Sequence, residues 1–330
     1  MGLELLTQAD QDIKIGHGLT EMPMQPFKLN LSNGGTVVGL SSIPPPSATS
    51  AVHVPLIVAL HGGTYDCHYF DASPRYSASS MSASLRIPFI SIDRPSYGGT
   101  SSILPIPQDS DFNRETGIWL HRYILPKIWS EFGLGKCNCI VLLCHSLGVM
   151  GGVVAGALHA QDDKPLYPLG GLIACGMGHI QTPFTEGGNS HRAVGDHHAE
   201  FIVHAKDRVM FKPGTVPVEI LEQSERLNTP SPLEETTTFS TTWLPLWKET
   251  WAVYVKAPVM FCLVEEDPFF VSTEEEVHNC VKAFKKSTRV DGSLMRGAPH
   301  CVELSYWSHG WYARCFGFAM ECVATFSSSQ

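Results

Sequence analysis

Ser146 lies in a sequence context that suits a nucleophile. The segment 142–148, LLCHSLG, joins an apolar, β-branched run to a stretch rich in glycine. In a nucleophile elbow a strand turns into a helix within a few residues, so the serine has a strained backbone that needs small residues two positions before and after it. Gly148 is such a residue, whereas Cys144 stands where glycine is more usual. The pattern predicts Ser146 as the nucleophile.

The residues that a serine nucleophile requires follow it in the order acid, then histidine. The apolar run 258–264 ends in three acids at 265–267, EED, and His300 lies in a turn after the strand-like stretch 288–295. Serine attacks a carbonyl at neutral pH only if a neutral imidazole takes its proton and a carboxylate holds that imidazole. The spacing therefore predicts a triad of Ser146, one acid from 265–267, and His300.

Further motifs connect these residues to one family. An apolar run at 55–60 ends in HGGT at 61–64, DRPSYG at 93–98 follows a short strand, and a long helix beginning near residue 310 closes the chain. With the order Ser, acid, His, these motifs resemble the α/β-hydrolase family along nearly the whole chain. The resemblance implies an α/β fold, in which a mostly parallel central sheet is flanked by helices and carries a helical cap insertion.

The resemblance also implies individual roles. Asp267 occupies the family's usual place for the acid and Glu266 is the second choice, while Glu265 best fits a surface charge. Most members carry a glycine shortly before this acid, where the present chain has two glutamates. The implied donors of the oxyanion hole are the backbone N–H groups of Leu147, Gly63 and, as an alternative to Gly63, Thr64.

Two phrases show a looser likeness to a narrower group. HGGTYD at 61–66 and GWYARCFGF at 310–318 are similar to phrases of serine hydrolases encoded beside fungal natural-product pathways. This likeness implies a role in secondary metabolism.

The sequence pattern changes between residues 181 and 250. Strand-like runs disappear, and histidines, prolines and threonines precede an aromatic cluster. We therefore predict a core of residues 1–180 and 251–330 with a cap at 181–250, folded mostly as helices. Three tryptophans recur at i, i+4 and i+8 near one face of a helix. The three are Trp243, Trp247 and Trp251. Packing of the cap onto the core is the commoner reason for such a stripe, but we also expect at least one of these tryptophans to face an apolar pocket above the nucleophile.

Composition excludes several classes of protein. Of 330 residues 43% are hydrophobic and 17% charged, which is typical of a globular chain with an ample core. The formal net charge of −9, without a basic cluster, disfavours nucleic acid and anionic membranes as partners. The apolar stretch 139–158 contains the elbow, so we interpret it as a strand and a helix rather than a membrane span. The expected partner is a small-molecule substrate, and the sequence does not set the oligomeric state.

Cysteine usage and the start of the chain indicate the compartment. The ten cysteines fall largely inside predicted strands and helices, without the spacing of a disulfide framework, so we expect reduced thiols. Residues 1–30 lack the basic start and apolar centre of a signal peptide, which predicts a cytoplasmic protein. No cofactor is expected. Four histidines near the start of the cap match no metal-binding spacing, so no metal is predicted there: His191, His197, His198 and His204.

The leading functional prediction is a cofactor-independent serine hydrolase. It would cleave a carboxylic ester, lactone or thioester of a bulky, largely apolar substrate through an acyl-enzyme. A serine at the nucleophile position disfavours epoxide hydrolase and haloalkane dehalogenase activity, whose relatives in the family use aspartate there. Two alternatives stay open: C–C bond hydrolysis, lyase or cyclase chemistry on the same triad, and a non-catalytic ligand-binding relative.

Overall fold

The computed structural model describes residues 24–45, 53–183 and 190–328. The prediction that the chain has no export signal concerns residues 1–30, and residues 1–23 lie outside the described part of the chain. The strands are, in chain order, β1 (Gln25–Asn30), β2 (Thr36–Ser42), β3 (Pro55–Leu60), β4 (Asp71–Ser73), β5 (Tyr76–Ser77), β6 (Phe89–Ile92), β7 (Cys139–His145), β8 (Leu169–Cys175), β9 (His191–Val194), β10 (His198–Phe201), β11 (Ser231–Pro232), β12 (Val259–Glu266) and β13 (Val290–Pro299).

Helices alternate with these strands through most of the chain. The α-helices are α1 (Ala78–Leu85), α2 (Phe112–Trp119), α3 (Leu125–Ile128), α4 (Gly148–Gln161), α5 (Val203–Met210), α6 (Val218–Leu221), α7 (Leu233–Thr238), α8 (Leu244–Thr250), α9 (Glu274–Val281) and α10 (Ser308–Ser328). Five-residue π-helical turns follow α2, α3 and α7, at Leu120–Ile124, Trp129–Gly133 and Phe239–Trp243. Short 3-10 turns lie at Cys67–Phe70, Ala252–Tyr254 and Val302–Leu304.

Eight strands form the central sheet, in the order β1-β2-β6-β3-β7-β8-β12-β13. The six strands β6, β3, β7, β8, β12 and β13 are parallel to one another, while β2 is antiparallel to both β1 and β6. The hairpin of β1 and β2 thus opens the sheet, and its turn contains Asn33, Gly34 and Gly35, residue types that favour such turns. The predicted fold class is confirmed, and the carboxyl ends of the parallel strands lie along one edge.

Both faces of the sheet are covered, which explains the continuous apolar runs. Every residue of β3, β7 and β8 is buried. Successive side chains of β7 point to opposite faces, so Val141 packs in the cluster that contains Trp311 of α10, and Leu142 in the cluster that contains Val153 of α4. A strand buried on both faces has no polar face to alternate with the apolar one.

The apolar stretch at 139–158 is β7 followed by most of α4, as interpreted from the sequence. In the parts of the chain that the structure describes, no helix combines the length and the apolar character needed to cross a bilayer. All ten cysteines are free thiols, and every one except Cys137 is buried.

The insertion between β8 and β12 has a mixed structure. In its described part, α5 to α8 supply most of the regular structure, but β9, β10 and β11 also form a three-stranded antiparallel sheet. The sequence did not predict this small sheet, because its strands are only two to four residues long and β9 is exposed throughout. Runs of that length carry no readable period.

Cys144, at the position where glycine is more usual, is accommodated by a glycine elsewhere. Gly152 lies in α4 directly over the end of β7, and a Cβ atom at this residue would be 2.4 Å from Cys144 Sγ. That separation is far below van der Waals contact. The thiol therefore fits at the elbow because the helix carries no side chain at residue 152.

We expect Gly152→Ala to destabilise the protein by about 1 to 3 kcal/mol, since it overpacks the Cys144 thiol. In a Cys144→Ala background the same change should be neutral or stabilising by up to about 1 kcal/mol, because alanine favours the helix. Urea unfolding of the four proteins measures this coupling. Gly156→Ala in the same helix is the control, as its Cβ would meet nothing nearer than 3.6 Å. Equal effects of Gly152→Ala in both backgrounds would contradict the explanation.

Candidate active site

Ser146 lies at the turn between β7 and α4 with a left-handed backbone. Its φ is +50°, and its N–H donates to Cys175 O on the neighbouring strand (2.8 Å). A non-glycine residue at positive φ is strained, and such strain is concentrated at functional sites. Gly148 permits the turn, because a Cβ there would lie 2.5 Å from Leu60 O at the end of β3. The serine hydroxyl is thus presented at the carboxyl edge of the sheet, against the loop that follows β3.

The structure brings Ser146, His300 and Asp267 together in a hydrogen-bonded row. Ser146 Oγ lies 3.0 Å from His300 Nε2, and His300 Nδ1 lies 2.8 Å from Asp267 Oδ2. An ionised carboxylate only accepts, so Nδ1 carries the ring proton and Nε2 is free to accept from the serine hydroxyl. The imidazole and carboxylate are buried, with 2% and 0% of their side-chain surface exposed.

The structure distinguishes among the three acids at 265–267. Asp267 faces the His300 ring, and its second oxygen accepts from Phe269 N–H at 2.9 Å. Glu266 instead pairs with Lys212 (2.6 Å), while Glu265 binds Arg296 on the surface. The pairing of β12 with β13 shifts register between Val264 and Glu266, just before Asp267. Such an irregularity redirects the side chains that follow it, which is why two glutamates are accommodated where the family usually has a glycine.

Two candidate donors for an oxyanion belong to residues that line the cavity beside Ser146. Leu147 is the first residue after the serine, and Gly63 lies in the loop after β3; both contribute to the cavity wall. Among the described residues, neither N–H group has an acceptor. The N–H of Thr64, the alternative donor, is already used, since it donates to Ser231 Oγ at 2.8 Å. The geometry is therefore better suited to Gly63 than to Thr64 as a donor for a bound oxyanion.

The loop that carries Gly63 is held from behind by His61. Arg94 N–H donates to His61 Nε2 (3.1 Å), so Nδ1 carries the proton and donates to Gly62 O (2.7 Å). Burial, together with the nearby Arg94 guanidinium, lowers the pKa of His61 to about 3. His61 is therefore neutral at physiological pH, and both of its ring nitrogens are used to hold this loop.

A second buried group lies behind the nucleophile. Glu303 accepts from Tyr69 OH (2.7 Å) and Trp311 Nε1 (2.8 Å), and its carboxyl oxygen is 3.4 Å from His145 Nδ1. Burial raises the pKa of Glu303, and burial also holds the pKa of His145 well below its ordinary value. The ring of His145 stacks on Tyr69 at 4.9 Å. This network packs the wall behind Ser146 and keeps an uncharged His145 beside the His300 ring.

A cavity of about 440 Å³ opens above Ser146 and His300. The core and the insertion both contribute residues to its lining. The aromatic and aliphatic lining residues are Tyr65, Leu147, Phe201, Met210, Leu233, Phe239, Phe269 and Phe270. The polar groups of the described lining are amide and hydroxyl groups and imidazoles, and no Asp, Glu, Lys or Arg contributes. Besides the Tyr65 hydroxyl, they belong to Thr64, His145, Ser146, Gln181, His191, Ser231, Thr236 and His300.

The prediction that one of three tryptophans faces this cavity is wrong. The described lining includes none of Trp243, Trp247 and Trp251. Trp243 and Trp247 are each 3% exposed and stack on each other at 5.9 Å, while Trp251 packs against the same core cluster. The helical spacing does place them together, but that face packs onto the core beside Phe284 rather than over the serine.

The histidines of the insertion occupy separate places. The His191 ring lies 3.8 Å from that of Phe201 at the cavity wall, His197 pairs with Glu234, and His198 donates to Ser96 O. Within the described residues, these histidines and His204 form no common cluster of metal-ligating atoms.

Most of the residues that line the cavity were not predicted from the sequence. Phe269 and Phe270 had a readable signal, because they follow Asp267 by only two and three residues. Phe201, Phe239 and Ser231 had none, since they approach the nucleophile only through the folding of the insertion. The same holds for Glu235, which is buried against Arg94 and Tyr97, 141 and 138 positions earlier.

Comparison with protein families gives one match. The sequence profile of the "Alpha/beta hydrolase family" matches residues 57–313. That span contains the loop after β3, the elbow, Asp267 and His300. No curated protein sequence matches the chain.

Solved structures share the fold at low identity. One is a soluble variant of monoglyceride lipase from Saccharomyces cerevisiae with a substrate analogue (12% identity, TM-score 0.59, covering 93% of this chain and 98% of that chain). Another is the thioesterase domain from the curacin biosynthetic pathway (12%, 0.54, 90% and 99%). A third is a loop variant of a haloalkane dehalogenase from Bradyrhizobium elkanii (14%, 0.51, 94% and 100%). At these identities the likeness concerns the fold alone.

Asp267→Asn should slow the reaction of Ser146 with a fluorophosphonate by roughly 10⁴-fold, because an amide that donates to His300 Nδ1 favours the wrong ring tautomer. Glu266→Gln is the matched control, since Glu266 pairs with Lys212, and it should react at the wild-type rate. Stopped-time labelling followed by mass spectrometry measures both rates. Slowing by Glu266→Gln but not by Asp267→Asn would reverse the assignment of the acid.

Proposed function

The chain belongs to the alpha/beta hydrolase family, and within it we propose that this protein is a serine hydrolase that cleaves a carboxylic ester or thioester through an acyl-enzyme. One observation carries the proposal: Ser146 Oγ, the His300 ring and the Asp267 carboxylate are joined by contacts of 3.0 and 2.8 Å beneath a cavity. Gly63 and Leu147 offer N–H groups to that cavity beside the same serine.

The chemistry follows from this arrangement. Ser146 Oγ attacks the carbonyl carbon while its proton passes to His300 Nε2, and the carbonyl oxygen becomes an anion bound by the N–H groups of Gly63 and Leu147. The intermediate collapses as the bond to the leaving group breaks, and His300 returns the proton to that group. Asp267 stays ionised and stabilises the imidazolium.

Water then completes the cycle. His300 takes a proton from the water molecule that attacks the acyl-enzyme carbonyl, and a second oxyanion forms in the same place. Ser146 Oγ leaves with the proton that His300 returns to it, which regenerates the free enzyme and releases a carboxylic acid. The chain, the substrate and one water molecule balance these steps.

The lining of the cavity supports a preference for neutral, aromatic or otherwise bulky apolar acyl groups. Phe201, Phe239, Phe269 and Phe270 supply rings that can pack against a flat substrate. A charged acyl group would lose its hydration without gaining a partner of opposite charge, because the described lining contains no Asp, Glu, Lys or Arg. The volume of about 440 Å³ lies within the range of small-molecule sites. The phenylalanines thus replace the tryptophans as the basis for this preference.

Ser146→Ala should abolish hydrolysis of p-nitrophenyl esters and labelling by a fluorophosphonate, because it removes the attacking oxygen. The melting temperature should stay close to that of the wild type, since the hydroxyl faces the cavity. Mass spectrometry of the wild-type protein should locate the phosphonyl adduct on Ser146. Ester turnover by Ser146→Ala at matched purity would exclude the proposed nucleophile. An unreactive wild-type protein would favour a non-catalytic ligand-binding protein.

The substrate preference is testable with esters that differ only in the acyl group. We expect kcat/KM for p-nitrophenyl benzoate to exceed that for the charged p-nitrophenyl hemisuccinate by at least about tenfold, given the cost of burying an unpaired carboxylate. Phe201→Ala should lower kcat/KM for the benzoate more than for the acetate. Leu246→Ala is the control, because Leu246 is exposed on α8 and lies outside the described lining. Faster hydrolysis of the hemisuccinate would contradict the preference.

A further inference from the structure

The segment that follows β3 adopts a conformation that its own sequence does not favour. We call residues 61–65 the oxyanion strap, because Gly63 lies at its centre. Thr64, directly after Gly63, has a φ of +64°, in the left-handed region that costs free energy for a β-branched residue. Such a conformation persists only where the surroundings hold it.

The contacts that hold Thr64 come from the insertion. Thr64 N–H donates to Ser231 Oγ (2.8 Å), and Thr64 O accepts from Thr229 N–H (2.9 Å) and from Lys206 Nζ (2.7 Å). Ser231 lies in β11 and Lys206 in α5. Both backbone polar groups of the strained residue are therefore fixed by the insertion.

Lys206 is an unusual residue to find in this position. It is 1% exposed, and its ammonium contacts two carbonyl oxygens, of Thr64 and Leu227 (2.6 Å), and lies 3.6 Å from the centre of the Tyr65 ring. The neighbouring Asp207 is hydrogen-bonded to Ser224 instead. Burial lowers the pKa of Lys206 to about 7, which reflects the cost of removing an ammonium from water.

The insertion also holds the strap one residue before Gly63. Arg94 Nη2 donates to Gly62 O (3.2 Å) and to Glu235 Oε2 (3.2 Å), and Glu235 lies in α7. Arg94 and Glu235 are both 1% exposed. Gly63 is thus flanked by two residues, Gly62 and Thr64, whose positions depend on buried charged groups tied to the insertion.

We propose that Lys206 is a positioning residue for the oxyanion hole, which holds the strained Thr64 in place beside Gly63 through its bond to Thr64 O. This inference rests on the proposed serine hydrolase function, and it gives the insertion a part in the chemical step besides enclosing the substrate. Oxyanion stabilisation depends on donors that are already oriented when charge develops. Loosening the strap should therefore lower kcat and leave KM nearly unchanged.

The test compares Lys206→Met with Lys212→Met. Methionine removes the ammonium and fills a similar volume, so the fold should be retained. Lys212 lies just after α5, is half exposed and pairs with Glu266, which makes it a matched control. For p-nitrophenyl benzoate we expect Lys206→Met to lower kcat by about 10- to 100-fold, part of the 10²- to 10³-fold that loss of an oxyanion donor costs, with KM within about twofold of the wild type.

A second measurement reports on binding of the oxyanion. A trifluoromethyl ketone adds to the serine as a charged hemiketal, so its inhibition constant should rise in Lys206→Met by about the factor by which kcat falls. A purely structural role of Lys206 would lower the melting temperature and leave this constant unchanged in the folded fraction. Equal kcat and inhibition constants in Lys206→Met and Lys212→Met would overturn the inference.

Ser231→Ala keeps the proposal testable if Lys206→Met fails to fold. It removes the acceptor of Thr64 N–H and should lower kcat in the same way; an unchanged kcat and inhibition constant would count against the inference.

A wild-type protein that neither turns over esters nor binds the ketone would mean that the proposed function itself fails. A crystal structure of either variant then decides the inference independently, since Thr64 with an unchanged φ near +64° would refute it.

Discussion

The close approach of two chain segments at Ser146 is the constraint on which the site depends. β7 and β3 are neighbours in the sheet, and the turns that leave them meet at its carboxyl edge. A Cβ at Gly148 would lie 2.5 Å from Leu60 O, and one at Gly62 would lie 2.9 Å from Ser146 Cβ. Because neither segment tolerates a side chain at these points, Ser146 and the loop that carries Gly63 take up a single relative position.

The core of this arrangement was predictable because it is local in sequence. The apolar runs at 89–92 and 169–175 are strands over those same residues, since a strand buried on both faces is a continuous apolar run that ends where burial ends. Ser146 and Asp267 each lie close after such a run, whereas His300 follows β13, which is only partly buried. Parallel strands bring the residues that follow them to one edge, so an ordered series of strand ends already implies their proximity.

The walls of the site were not predictable, because they depend on contacts between distant residues. A helical period places Trp243 and Trp247 on one face, but it does not say which layer that face meets. Lys206 reads in the sequence as an ordinary surface lysine; only the fold brings it against Thr64, 142 positions earlier. The strands of the insertion are too short to show a period, so their hydrogen bonds rather than their side chains define them.

The buried pair of Arg94 and Glu235 has a consequence for how this architecture can change. Removing one partner of a buried ion pair leaves an uncompensated charge, which typically costs about 3 to 5 kcal/mol. Deleting the insertion, or exchanging it for that of another protein, would strand Arg94 inside the core beside Gly62. The insertion and the loop at 93–98 therefore have to change together. A graft that replaces the insertion to alter the substrate pocket must transfer both Arg94 and Glu235.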